Sequence, residues 1–302
     1  MGEHARRYDD VVILLRTHMA GAPWRLIPYN NGMISIDVEG GITIDDVTTT
    51  PFPVEISNAI ISSDGLVATW VDYELRLARM ARLPLDSPLT SGCSKGELRQ
   101  APSSKMVAGA EWCHSIDAEP LAMDGDDEII VFALWEKGIY AIKPDSTEIW
   151  RIHMINDSET EKIPRANEII AIHVREEVHV WTRSGLHIIL DRNDGAEIAR
   201  HRLPVEADVE RVFASETSFL ISSKNGWVWS SDGEIITIAQ KLRGTVQDAI
   251  HDGENWRLIS WCEDIILGEP GKKKDELGVQ LINGDDGWMV IDNQGEITPH
   301  MA

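Results

Sequence analysis

The chain carries 10 histidines and 50 acidic side chains, the groups from which polar chemistry could be built. His173 and His251, with Asp64, Asp124 and Asp252, stand at or near the ends of short apolar runs. Brought to one point, these imidazoles and carboxylates could bind a cation, a sugar or a basic peptide. They could also hold Ca²⁺, or serve as the acid–base groups of a glycan- or lactone-active hydrolase. Each aspartate has a plainer use as well. Asp64, Asp124 and Asp252 each precede a glycine, and Asp-Gly between apolar runs is a strong hairpin signal.

Other chemistry is sparse. There is no Gly-x-Ser-x-Gly elbow. There is no phosphate-binding Walker loop, no GxGxxG and no HExxH. His179 and His187 flank Trp181 and could face each other across a strand pair, but half-exposed strand positions account for them. Cys113-His114 lacks further ligands at metal-site spacing. Cys93, Cys113 and Cys262 form neither a disulfide framework nor a zinc site. They read as reduced thiols of a cytoplasmic protein; Cys93 and Cys113 could pair in an oxidising compartment. No catalytic residue and no cofactor is expected, with Ca²⁺ as the alternative.

The elements that must position these groups are strands. Long stretches with helical spacing are missing. Short runs rich in Val, Ile and Trp recur, bounded by Gly, Asp and Asn. One repeated unit is Gly, an apolar alternation, Asp, a turn and then Glu-Ile. It appears at Gly138–Asp145 with Glu148-Ile149, and at Gly185–Asp191 with Glu197-Ile198. Gly226–Asp232 with Glu234-Ile235 and Gly287–Asp292 with Glu296-Ile297 repeat it, and Gly32–Asp37 with Ile42 is a degenerate copy. These read as the third and fourth strands of successive units. A second pattern lies upstream of several of them: a strand ending in Asp-Gly, then a strand ending near Trp. It is seen at Ile60–Trp70, Leu121–Trp135 and Ala249–Trp261, and at Glu168–Trp181 without the Asp-Gly.

Together the patterns give four antiparallel strands per repeat, the blade of a β-propeller. The expected fold is all-β, one propeller over residues 1–302. Blade-like stretches fall at 10–50, 56–86, 118–156, 166–204, 208–240, 246–280 and from 281 onward. The count is seven, with six the alternative. A short last blade suits a ring closed by N- and C-terminal strands, the former at Val11–Arg16. Residues 87–117, rich in Ser, Pro and Gly, read as a long loop insertion. The lysines of Gly271–Asp275 read as a solvated hairpin tip. In such a ring the first strands line a central channel, which would bring His173, His251 and the three aspartates to one mouth.

The segment Ala141–Trp150 is similar to the repeat of quinoprotein-like (PQQ-repeat) propellers, which runs Ala, apolar, Asp, a Thr-Gly turn and Trp. Ser146-Thr147 stands where Thr-Gly would, and only this blade carries the Trp at that place. The resemblance therefore implies neither tryptophan docking around the ring nor a bound quinone. The chain also resembles WD40-like propellers, without their Trp-Asp and Gly-His signatures.

Composition sets the remaining limits. The formal charge is −22, from 50 acidic and 28 basic side chains. That surface repels phosphate backbones and anionic membranes, so neither nucleic acid nor membrane is an expected partner. The apolar run Val11–Leu15 is too short for a signal-peptide core, and no stretch approaches a membrane span. Tryptophan is abundant: 11, against four Phe and four Tyr. Trp70, Trp135, Trp181 and Trp261 recur near second-strand ends and are expected to pack between blades. A ring with no catalytic signature reads as a protein–protein interaction scaffold for partners with basic surface patches. An enzyme or ligand-binding protein working in the central funnel is the alternative.

Overall fold

The structure, a computed structural model, describes residues 21–30, 32–100, 107–153, 163–205, 208–284 and 287–302. Its strands pair as seven antiparallel sheets arranged as a propeller.

Blade 1 holds β1 (Pro23–Tyr29), β2 (Gly32–Asp37), β3 (Ile42–Ile44) and β4 (Val47–Thr49). Blade 2 holds β5 (Ile56–Ser62), β6 (Gly65–Asp72), β7 (Leu77–Pro84) and, after a short helix α1 (Lys95–Gln100), β8 (Trp112–Ile116). Blade 3 holds β9 (Pro120–Gly125), β10 (Ile130–Leu134), β11 (Gly138–Ile142) and β12 (Glu148–Ile152). Blade 4 holds β13 (Ile169–Val174), β14 (Val178–Thr182), β15 (Leu186–Leu190) and β16 (Glu197–Arg202). Blade 5 holds β17 (Val209–Ala214), β18 (Phe219–Ser223), β19 (Trp227–Ser231) and β20 (Ile236–Lys241). Blade 6 holds β21 (Val246–His251), β22 (Trp256–Ser260), β23 (Glu263–Ile266) and β24 (Lys272–Lys273). Blade 7 holds three strands, β25 (Gly278–Gly284), β26 (Gly287–Asp292) and β27 (Ile297–Pro299).

The first strand of each blade packs against the first strands of its neighbours, around the axis. Because the strands alternate in direction, the turns divide between two faces. One face carries the second-to-third-strand turns and the connections from blade to blade; we call it the connection face. The opposite face carries the other turns.

The core is distributed. A separate apolar cluster fills each of the seven seams, including Leu26 and Met33 against Ile282 and Ile291 between blades 1 and 7. This is why the strands read as nearly continuous apolar runs: a blade in a ring is buried on both sheet faces. Trp70 and Trp181 are fully buried at these seams.

The ring of seven four-stranded blades was legible in the sequence, apart from the three strands of the last blade. Four details differ. The Gly–apolar–Asp unit is the third strand in blades 3, 4 and 5, but in blades 1 and 7, as β2 and β26, it is the second. A Gly–Asp frame specifies a strand between two turns and does not specify its rank. Blade 7 accordingly begins at Gly278 and not at 281. The insertion is shorter than 87–117, because Trp112–Ile116 pairs with β7 as the outer strand of blade 2. Its segment packs Val107, Leu89 and Cys93 into the blade 1–2 seam, and buried Arg82 bonds Glu111 and the carbonyl of Ser63. Finally, the lysine run is no free hairpin tip. Lys272 and Lys273 form β24, and Lys274 pairs with buried Asp264 at 2.8 Å. The closing strand expected at Val11–Arg16 lies outside the described residues.

Candidate functional site

The first strands face the axis with one edge unpaired. Exposed edge N–H and C=O groups need partners, and side chains of the preceding blade supply them. Asp124 Oδ2 accepts the Val174 N–H at 2.8 Å, from blade 3 to blade 4. His173 Nε2 lies 3.1 Å from the Val212 carbonyl, from blade 4 to blade 5. Arg211 donates to the Gln247 carbonyl, from blade 5 to blade 6. Asp248 Oδ2 accepts the Leu281 N–H at 2.7 Å, from blade 6 to blade 7. Gln280 both accepts the Leu26 N–H at 2.7 Å and donates to its carbonyl at 2.8 Å, from blade 7 to blade 1. Between blades 2 and 3 the clip moves to the turn, where Ser62 and Ser63 donate to the carbonyls of Asp126 and Asp127.

These clips have electrostatic consequences. Burial pushes Asp124 and Asp248 up to about 6, against the lowering effect of the N–H groups they accept and of Arg25. Burial pushes His173 down to about 3, with Arg175 adding repulsion. Arg25 occupies in blade 1 the place that Arg211, Asp248 and Gln280 occupy in theirs, but it is exposed.

The five residues singled out in the sequence have different surroundings. Asp124 and His173 share a rung on adjacent first strands and act as clips. Asp252 is a turn residue: its Oδ1 accepts the N–H groups of Glu254 and Asn255, and its Oδ2 holds Arg257 at 2.7 Å. The equivalent turn residue of blade 3 is Asp126, bonded to Glu128 and Ile129, and not Asp124. Asp64 is exposed, with φ 56°, in the β5–β6 turn. His251 lies edge-on to Trp256 at 5.3 Å and accepts the Gly253 N–H. Among the described residues no three His, Cys, Asp or Glu side chains converge as a metal site.

The clips at Arg211, Asp248 and Gln280 escaped sequence reasoning for a definite reason. Every first strand carries a register shift just after its first residue, for example between Val209 and Arg211 and between Val246 and Asp248. A bulge of this kind shifts the two-residue alternation by one place, so the apolar–polar pattern of the strand does not show which of its residues face the axis. Their shared polarity at one rung is the signal that remains.

His179 and His187 do meet, but buried and not half-exposed. His187 Nδ1 donates to the Gly233 carbonyl at 2.9 Å. Its Nε2 therefore accepts from His179 Nδ1, at 3.0 Å. Burial pushes both down to about 4, with His187 and Arg175 adding to the effect at His179, and His201 and Arg175 adding to it at His187 against the Gly233 hydrogen bond. Both imidazoles are neutral near pH 7.

Two tryptophans dock across seams. Trp112 Nε1 donates to the Pro144 carbonyl and Trp150 Nε1 to the Arg192 carbonyl, each at 2.8 Å. Each runs from an outer strand to the third-to-fourth-strand turn of the next blade. Gly195 in that turn has φ 73°, and a Cβ there would come within 2.8 Å of the Trp150 ring. The tryptophan docking that one matching repeat did not imply is thus present at two seams, the second built by Trp112 from a different local sequence.

The connection face has another character. The large hydrophobic side chains exposed among the described residues include three aromatics, Tyr73, Trp227 and Trp261, and all three lie on it. Trp261, expected between blades, is 64% exposed in the β22–β23 turn. Trp227 carries Lys241 over its ring. Tyr73 donates to Glu119 at 3.0 Å beside a cavity of about 210 Å³ between the strands of blade 2 and the connection to blade 3. No described helix is long and apolar enough to cross a membrane.

No protein-family model matches the chain, and no curated protein matches it in sequence. Solved structures do match in shape. The WD40 β-propeller domain of Doa1 superposes with a TM-score of 0.62 at 9% identity, over 92% of each chain. The β-propeller domain of Cps50 (Swd1) from Myceliophteria thermophila gives 0.64 at 11% identity, over 93% of this chain and 96% of that one. BamB from Moraxella catarrhalis gives 0.58 at 11% identity, over 90% of this chain and 92% of that one. At such identities the likeness carries the fold and nothing finer: the chain is a seven-bladed β-propeller similar to WD40 and BamB propellers.

Proposed function

We propose that the protein is a non-catalytic scaffold that binds other proteins through its connection face. One observation carries the reading: the exposed aromatics Tyr73, Trp227 and Trp261 all lie on that face. Tryptophan and tyrosine dominate the energetics of protein interfaces, and an exposed tryptophan keeps apolar surface in water until a partner covers it. The fold-level likeness to WD40 propellers supports the reading without naming a partner. The channel supports it by contrast. Asp124, His173, Asp248 and Asp252 are engaged in clips and turns, so they are poorly placed to act together on a substrate. A charge of −22 favours partners with basic patches, through steering and complementarity. The absence of disulfides among Cys93, Cys113 and Cys262 is compatible with a cytoplasmic setting.

The test is capture of partners from native lysate by the tagged wild type and by a Trp227→Ala/Trp261→Ala variant of equal thermal stability. The expected result is a stoichiometric partner that the variant loses and that high salt weakens. A partner retained equally by both would remove this face from the account. Recovery of the wild type alone would contradict the scaffold reading.

A further inference from the structure

The cavity beside Tyr73 has a floor and a rim of opposite kinds. Val71 and Ala78 from the blade 2 strands and Ile116 from its outer strand make the apolar part. Asp117 and Glu119, both exposed, stand on the connection to blade 3 and bring two carboxylates to the mouth. The volume, about 210 Å³, falls below the roughly 300–1,000 Å³ of small-molecule pockets. It suits one long side chain. The ring of Tyr73, 66% exposed, offers an aromatic surface alongside.

The local field is negative. Burial raises the Tyr73 hydroxyl first, and the charges of Glu119 and Glu55 raise it further. Asp117 makes no ion pair among the described residues. Two cations oppose it: Arg76, exposed at the rim, and Arg165, whose charge reaches Glu119.

We propose that this cavity seats an arginine side chain of a partner protein. The aliphatic stem would lie on Val71, Ala78 and Ile116. The guanidinium would meet the carboxylates of Asp117 and Glu119 and stack on Tyr73. Arginine fits better than lysine because its planar fork matches carboxylates and stacks on aromatic rings, while its stem is apolar. The inference rests on the scaffold reading and deepens it: one partner contact becomes a basic side chain in a defined slot.

The test uses the full chain and a random peptide display library, selected at about 0.3 M salt so that the general attraction of an acidic protein is screened. Selected peptides are expected to share an arginine. Replacing it with citrulline, which keeps the shape and removes the charge, should weaken binding tenfold or more. Ala118→Trp, which fills the cavity, and Asp117→Lys, which reverses its rim, should each abolish binding. Arg76→Glu should tighten it several-fold. Asp117 is exposed, so the second variant stays informative if the first fails to fold.

Peptides with no common arginine, or binding that survives both Ala118→Trp and Asp117→Lys, would overturn the slot. A native partner retained by these two variants but lost from Trp227→Ala/Trp261→Ala would sink the slot and leave the scaffold standing. Selected peptides with the expected response, but no native partner, would separate the two in the other direction.

Discussion

Four histidines cross blade 4 in a row, one on each strand. His173 faces His179 across one strand pair and His187 faces His201 across another, and the middle two share a hydrogen bond. The row packs against blade 5, where Phe219, Gly233 and the Val212 carbonyl meet it, with Arg175 over Phe219 and Glu234 near His201. His173 is held down to about 3 and His179 and His187 to about 4, against about 6.5 in an unfolded chain. The unfolded state therefore takes up protons first. The stability these imidazoles support is complete above about pH 6.5 and is lost as pH falls toward 4. Asp124 and Asp248 act oppositely. Raised to about 6, they bind protons in the folded state before the unfolded one, and add stability as pH falls from 6 toward 4. Three large histidine shifts outweigh two smaller aspartate shifts, so the thermal midpoint should fall between pH 6.5 and 4.5. Asp248→Asn should steepen that fall, because the amide oxygen still accepts the Leu281 N–H while the compensating proton uptake is gone. Calorimetry of both proteins across this range checks it; a midpoint that rises on acidification would contradict the assignment.

At the scale of elements, seams are held by polar reach from one blade to the next. Trp150→Phe keeps most of the ring but leaves the Arg192 carbonyl without its donor. The cost should be about 1–3 kcal/mol in urea unfolding, and a value near zero would mean that the dock is incidental. The ion pair of Lys274 and Asp264, with side chains 10% and 1% exposed, ties β23 to the residues after β24, and Asp264 also accepts the Met301 N–H. Lys274→Met should cost about 3–5 kcal/mol by stranding a buried carboxylate, while Asp264→Leu/Lys274→Met should cost less than the two single changes together. The outer edge of β27 carries no partner strand among the described residues. The proposed closure by Val11–Arg16 predicts that deleting residues 1–16 lowers the thermal midpoint; an unchanged midpoint would remove that strand from the ring. Much of this level was legible. Asp-Gly turns and apolar alternation place most strands, because turn chemistry is local. Strand rank, the outer strand of blade 2 and the pairing of the lysine run were not, since each depends on distant partners: β7 for Trp112–Ile116 and Asp264 for Lys274. The candidate site was less legible still. First-strand bulges hid Asp248 and Arg211, and burial turned Asp124 and His173 into clips.

The whole molecule is a ring whose seven seams each have their own apolar cluster. Such a ring holds its blades rigidly while its turns vary. Its two faces then differ in what they offer. The connection face carries the exposed tryptophans and the cavity beside Tyr73. Aspartates such as Asp232 and Asp252 on the opposite face are bound up in their own turns. The central claim is that partners dock on the connection face. Lysines label the two faces: Lys137 and Lys224 lie in second-to-third-strand turns, and Lys143 lies in a third-to-fourth-strand turn. The most direct measurement is lysine cross-linking of the native complex, with mass spectrometry of the linked sites. The account predicts inter-protein links at Lys137 and Lys224 and protection of the face around Trp227 and Trp261. Links concentrated at Lys143, with those tryptophans left open to solvent, would contradict it.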